Sequence, residues 1–127
     1  MEIKIYYGDT DCGGVVYYGN YLKYFEAART EWLAEKGVSI KKLMEDGIFF
    51  VVASAGIKYH APARYGDNLR IITKLTEKRG VRMNFSYEVL RGDILIVTGE
   101  TLLACVGSDF RPRKLPENFN KIDAADN

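Results

Sequence analysis

The most regular hydrophobic pattern in the chain falls at Tyr21, Tyr24, Phe25, Ala28 and Trp32, an i, i+3, i+4, i+7, i+11 series that lines up on one stripe of an α-helix. Asn20 stands where an N-cap would, and Gly37 follows Lys36 where a helix turns left-handed to stop, so the spacing predicts a helix over 20–36. Leu22, Ala27 and Leu33 lie off the stripe and widen its apolar surface, which calls for a partner that wraps around the helix. Ser39 with Ile40, Leu43 and Met44 predicts a short second helix ending before Gly47.

Beyond Gly47 the period changes from that of a helix to that of strands. Phe49 to Tyr59 is β-rich, and the nearly apolar run from Ile48 to Ile57 is about half the roughly 20 residues a membrane helix needs, so it predicts a core strand. After the turn from Pro62 to Asp67, Leu69, Ile71, Thr73 and Leu75 alternate with Arg70, Ile72, Lys74 and Thr76. Past Gly80, Met83, Phe85, Tyr87 and Val89 alternate with Arg82, Asn84, Ser86 and Glu88, and Gly92-Asp93 turns the chain into a hairpin. Ile94 to Val106 is apolar almost throughout except at Glu100, which predicts a central strand covered on both faces, by the helix and by another subunit. With an alternating first strand over Met1–Tyr7, the order predicts an α+β fold, a mostly antiparallel sheet with one helix on its concave face. Residues 1–127 read as one domain, whose extension over about 109–127 holds two of the three prolines and few apolar anchors and should fray into a mobile tail. A single sheet around one helix leaves its outer face and edges open, so a homodimer or a dimer of dimers is expected.

Composition narrows the chemistry. Eighteen Lys plus Arg against seventeen Asp plus Glu leave a net charge of +1, too little to gather nucleic acid or an anionic membrane. The start of the chain lacks the layout of a secretory signal, and no membrane span is expected, which points to the cytoplasm. Cys12, Cys105 and the single His60 have no ligand spacing, so no metal and no cofactor are expected, and the two cysteines read as ordinary free thiols. Chemistry must then come from carboxylates and main-chain groups.

The stretch from Tyr7 to Tyr21 joins the first strand to the long helix and crowds Asp9, Asp11, four glycines and several tyrosines together. Glycines let the backbone approach a ligand, and a helix start offers unpaired N–H groups that stabilise an oxyanion. From spacing alone the same residues equally suit Asx turns and tight bends with no catalytic role.

Tyr7-Gly8-Asp9-Thr10-Asp11, Gly14-Val15-Val16-Tyr17, Asn20-Tyr21, the helix segment from Phe25 to Leu33 and Ala61-Pro62-Ala63-Arg64-Tyr65-Gly66-Asp67 together resemble the acyl-CoA thioesterases of the hotdog fold. The chain is similar to the hydroxybenzoyl-CoA thioesterase type and, more closely, to the bacterial Tol-Pal-associated acyl-CoA thioesterases. The resemblance implies a five-stranded antiparallel sheet wrapped around one long helix, an acyl-CoA substrate, Asp11 as the catalytic carboxylate and the backbone N–H of Tyr18 as the oxyanion stabiliser. It also implies that Gly14, Val16, Tyr17 and Asn20 contact substrate and that Asp9 is structural. The Tol-Pal-associated relatives usually carry histidine where this chain has Tyr18, so only the main-chain role carries over there.

Asp11 suits a nucleophile or a general base, and the sequence does not separate the two. Glu26 is the reserve carboxylate, although with Arg29 at i+3 it reads more simply as an ion pair. His60 reads as structural, and Cys12 lacks a histidine to activate it. Lys78, Arg79 and Arg82 around Gly80 are the first choice for the phosphates of CoA, with Arg111, Arg113 and Lys114 the second. The rival reading is a non-catalytic hotdog module that binds an acyl thioester or an acyl carrier protein. A dehydratase would need a positioned histidine, and His60 is the single one present.

Overall fold

In the computed structural model, which describes residues 1–124, the switch in period is met by a switch in structure. Strand β1 (Glu2–Lys4) leads through a 3-10 turn (Tyr7–Asp9) and a loop to helix α1 (Asn20–Glu35), followed by helix α2 (Ile40–Glu45) and strands β2 (Phe49–Tyr59), β3 (Asn68–Arg79), β4 (Arg82–Arg91) and β5 (Ile94–Val106). Gly37 and Gly47 take φ of +87° and +78° as they end the two helices, a conformation that side chains with a Cβ disfavour. The Ser39 hydroxyl caps α2 by accepting the Lys42 N–H at 3.2 Å.

All five strands pair antiparallel in the order β1-β3-β4-β5-β2, and α1 lies on one face of this sheet, the hotdog arrangement. Tyr21, Tyr24, Phe25, Ala28 and Leu33 of α1 are buried against Ile71 and Leu75 of β3, Phe85 and Tyr87 of β4 and Val97 and Leu103 of β5. Phe25 stacks on Tyr87 with ring centroids 4.3 Å apart, and the Tyr87 hydroxyl is satisfied inside the core by Thr101 at 2.7 Å. Trp32, expected on the buried stripe, is half-buried, standing edge-on to Phe85 with the Lys36 ammonium 5.2 Å from its ring centre. Leu33 takes the fully buried place instead.

Other expectations change with the structure. β5 is interior, hydrogen-bonded to β4 on one side and β2 on the other, but the apolar β2 lies at the sheet edge with Val52 to Ala55 exposed. An apolar run signals burial without saying what buries it, and no strand among the described residues pairs with the outer side of β2. The C-terminal segment is better anchored than its composition suggests. Phe119 and Ile122 are buried, Phe119 packs 5.6 Å from Phe50, and the Lys78 ammonium donates to the main-chain oxygens of Phe119 at 2.6 Å and Ile122 at 2.5 Å. The end of the expected mobile tail, 125–127, lies outside the described residues. No helix among the described residues is long and apolar enough to cross a membrane.

Candidate active site

The loop between β1 and α1 is held by its own backbone. The Asp11 N–H donates to Val15 O at 2.9 Å and the Gly14 N–H to Asp11 O at 3.0 Å, and Gly14 makes the bend at φ +77°. The turn between β2 and β3 supports it from outside. Val16 donates to Ala63 O at 2.8 Å, Tyr65 donates to Gly14 O at 3.4 Å, and Val15 and Arg64 form a bridge. That turn is in turn fixed by Asp67, whose Oδ2 accepts the Arg64 N–H at 2.8 Å and pairs with the Arg91 guanidinium at 3.0 Å. Arg91 also donates to Pro62 O at 2.9 Å.

Within this frame the sequence-selected residues divide. Asp11 is exposed, and its Oδ1 accepts the Gly13 N–H at 2.9 Å, which orients the carboxylate and leaves the other oxygen free. Asp9 faces inward on the loop. Its Oδ2 accepts the Tyr6 N–H at 2.9 Å, while its main-chain oxygen accepts both the Tyr17 N–H at 3.0 Å and the Asn20 amide at 2.8 Å. Val16 is buried in the core, and Tyr17 and Tyr18 are exposed with ring centroids 4.7 Å apart.

Asn20 is not the N-cap that its position suggests. Gly19 holds that place without a side chain to cap the helix, and α1 begins with tight bonds from Asn20 N to Tyr17 O at 2.9 Å and from Leu22 N to Gly19 O at 3.3 Å. The main-chain N–H groups of Tyr18 and Gly19 have no acceptor among the described residues. A helix start with two unpaired donors, on the same loop as a carboxylate, can stabilise negative charge on an oxygen while the carboxylate attacks or removes a proton.

Tyrosines enclose this corner. The Tyr59 hydroxyl donates to Tyr18 O at 3.3 Å, and its ring stands edge-on to Tyr18 and packs against buried Tyr21. Burial raises the Tyr21 phenol from its ordinary value near 10 to about 12, with the neighbouring Tyr59 adding to the shift. The Tyr24 hydroxyl is buried with no hydrogen-bond partner among the described residues, and burial first, then the charge of Asp9, pushes its phenol up.

The remaining candidates lie elsewhere. Lys78, Arg79 and Arg82 sit at the β3–β4 turn, a β3 length of about 35 Å from the loop, so one chain does not bring them to Asp11. Lys78 is committed to the tail, while Arg79 and Arg82 line an open groove with Glu77, Gly80, Val81 and Asn84. Arg111 points to its neighbour Asp109, 4.0 Å away, in an exposed contact. Glu26 accepts the Thr30 hydroxyl at 3.2 Å and forms no ion pair with Arg29; both border an apolar slot of about 220 Å³ between α1, α2 and β2, lined by Leu33, Met44 and Phe50. The His60 ring contacts Thr98 at 3.0 Å, Cys12 is exposed beside Asp11, and Cys105 is buried, which raises its thiol. Tyr59 and Arg64 stand outside the expected site residues, Arg64 within the Ala61–Asp67 motif, and the fold brings both, from the β2 end and the following turn, against the loop.

The family model described as the thioesterase superfamily matches residues 13–98. The chain is 38% identical over 119 residues to the acyl-CoA thioester hydrolase YbgC of Escherichia coli, covering 92% of this chain and 89% of that protein. A hypothetical protein from Thermus thermophilus superposes with a TM-score of 0.89 at 34% identity, over 93% of this chain and 91% of the other. A 1,4-dihydroxy-2-naphthoyl-CoA thioesterase from Synechocystis superposes with a TM-score of 0.88 at 26% identity, over 94% and 90% of the two chains.

Proposed function

Because the chain belongs to the thioesterase superfamily, we propose that it hydrolyses an acyl-CoA thioester to a free carboxylic acid and CoA. The observation that carries this reading is the pairing, on one loop, of the oriented and exposed Asp11 carboxylate with the unpaired N–H of Tyr18 at the start of α1. Asp11 either attacks the acyl carbon, forming an anhydride that water then opens, or takes a proton from the attacking water. On both routes the carbonyl oxygen gains negative charge, the carbon–sulfur bond breaks and the thiolate of CoA leaves with a proton from solvent. The Tyr18 N–H contributes on the order of 3 kcal/mol to that transition state.

Gly14 and Tyr17 shape the substrate side of the loop, whereas Val16 and Asn20 act by holding it, one in the core and one on Asp9 O. Arg64, exposed and bridged through its main chain to Val15, brings a cation to the loop for the phosphates of CoA. Arg79 and Arg82 serve phosphates only of a CoA whose acyl end reaches the loop of another copy. An acyl carrier protein in place of CoA would present the same thioester. The free edge of β2 supports assembly as a homodimer or a dimer of dimers.

Release of CoA thiol from short, medium, long and hydroxybenzoyl thioesters, measured for wild type and Asp11→Asn, tests the proposal. Turnover that falls by about a hundredfold or more in the variant supports it. A folded wild type that binds CoA and turns over none of these thioesters replaces the hydrolase with a binding module.

A further inference from the structure

An oxyanion donor is useful only if it is fixed in direction before charge develops, since a donor that must reorient costs free energy at the barrier. In the Tyr17–Tyr18–Gly19 turn the two tyrosines are exposed and Gly19 is half-buried, and its main chain runs into α1 through the bonds from Asn20 N to Tyr17 O at 2.9 Å and from Leu22 N to Gly19 O at 3.3 Å. On its N-terminal side the Tyr17 N–H is tied to Asp9 O at 3.0 Å. On its C-terminal side Tyr18 O accepts two long contacts, the Tyr21 N–H at 3.4 Å and the Tyr59 hydroxyl at 3.3 Å. Among the described residues, Tyr59 is the one side chain hydrogen-bonded to this turn, and it arrives from the last position of β2, 41 residues along the sequence.

The ring of Tyr59 is itself braced. Its centroid lies 5.8 Å from that of Tyr21, which is buried, and 6.5 Å from that of Tyr18 at an interplanar angle of 89°. Donation to Tyr18 O also polarises the peptide joining Tyr18 to Gly19, whose N–H is the second unpaired donor. Resting on the thioesterase reading above, we infer that Tyr59 is a positioning residue: it clamps the Tyr17–Gly19 turn so that the Tyr18 N–H faces the thioester carbonyl.

The test is steady-state thioester hydrolysis by the full chain with Tyr59→Phe and Tyr59→Leu, alongside wild type and Asp11→Asn. Tyr59→Phe removes the hydroxyl and keeps the ring. It should lower kcat by about three- to tenfold with KM and the unfolding midpoint unchanged, because the oxyanion exists only in the transition state. Tyr59→Leu should lower kcat further; if it fails to fold, Tyr59→Phe decides alone. Wild-type kcat in Tyr59→Phe, or a change confined to KM, overturns the role of Tyr59 while an inactive Asp11→Asn leaves the thioesterase reading standing. A wild type without turnover removes both, and is seen before any variant is compared.

Discussion

The side-chain amide of Asn20 and the main-chain oxygen of Asp9 meet at 2.8 Å, on an oxygen that the Tyr17 N–H also reaches at 3.0 Å. One carbonyl thus ties the first turn of α1 to the loop that carries Asp11. Asn20→Ala should cost about 1 kcal/mol in urea unfolding and about tenfold in kcat/KM, as the loop loses its register on the helix. Asn20→Asp should do no better despite its matching shape, since it sets a carboxylate oxygen against a carbonyl oxygen. Wild-type kinetics in Asn20→Asp would show that the amide is not the tie.

Gly99 leaves room on β5 for the Phe25 ring, and a Cβ built at Gly99 collides with that ring. Phe25 has no slack to give, as it is fully buried and stacked on Tyr87. Gly99→Ala should therefore destabilise the fold by about 1–3 kcal/mol, read as a lower denaturant midpoint. Pairing it with Phe25→Leu should recover part of the loss relative to the sum of the two single variants.

Lys78 bonds to the oxygens of Phe119 and Ile122, so its charge serves the C-terminal segment. Lys78→Met should cost about 1–3 kcal/mol of stability while leaving KM for an acyl-CoA as in wild type. A raised KM at unchanged stability would instead return Lys78 to the phosphates.

The helix was legible because Tyr21, Tyr24, Phe25 and Ala28 repeat at its period, and the β4 strand because Met83, Phe85, Tyr87 and Val89 repeat at that of a sheet. Local periodicity records which face is buried. It does not record what covers that face, which is why β2 reads as a core strand and stands at an edge. Nor does it record main-chain acceptors. Lys78 looks like a free cation in the sequence because its partners are carbonyls of residues about forty places on, and Asn20 looks like a cap because its acceptor lies back in the loop. Asp11 and Tyr18 stand out through their motif; Tyr59 does not, since only the folded sheet carries its hydroxyl to Tyr18.

The edge position of β2 also bears on how the protein behaves in a tube. From Phe49 to Ile57 this strand holds no charge and no proline, the two devices by which exposed edges usually resist unwanted pairing. A lone chain therefore offers a template along which foreign strands can add, and solubility depends on that edge being covered. A substitution that uncovers it, however mild its effect on the fold, should appear as precipitation during purification rather than as a well-behaved single chain. Placing Lys at Val52, already exposed on β2, should restore solubility to such a variant.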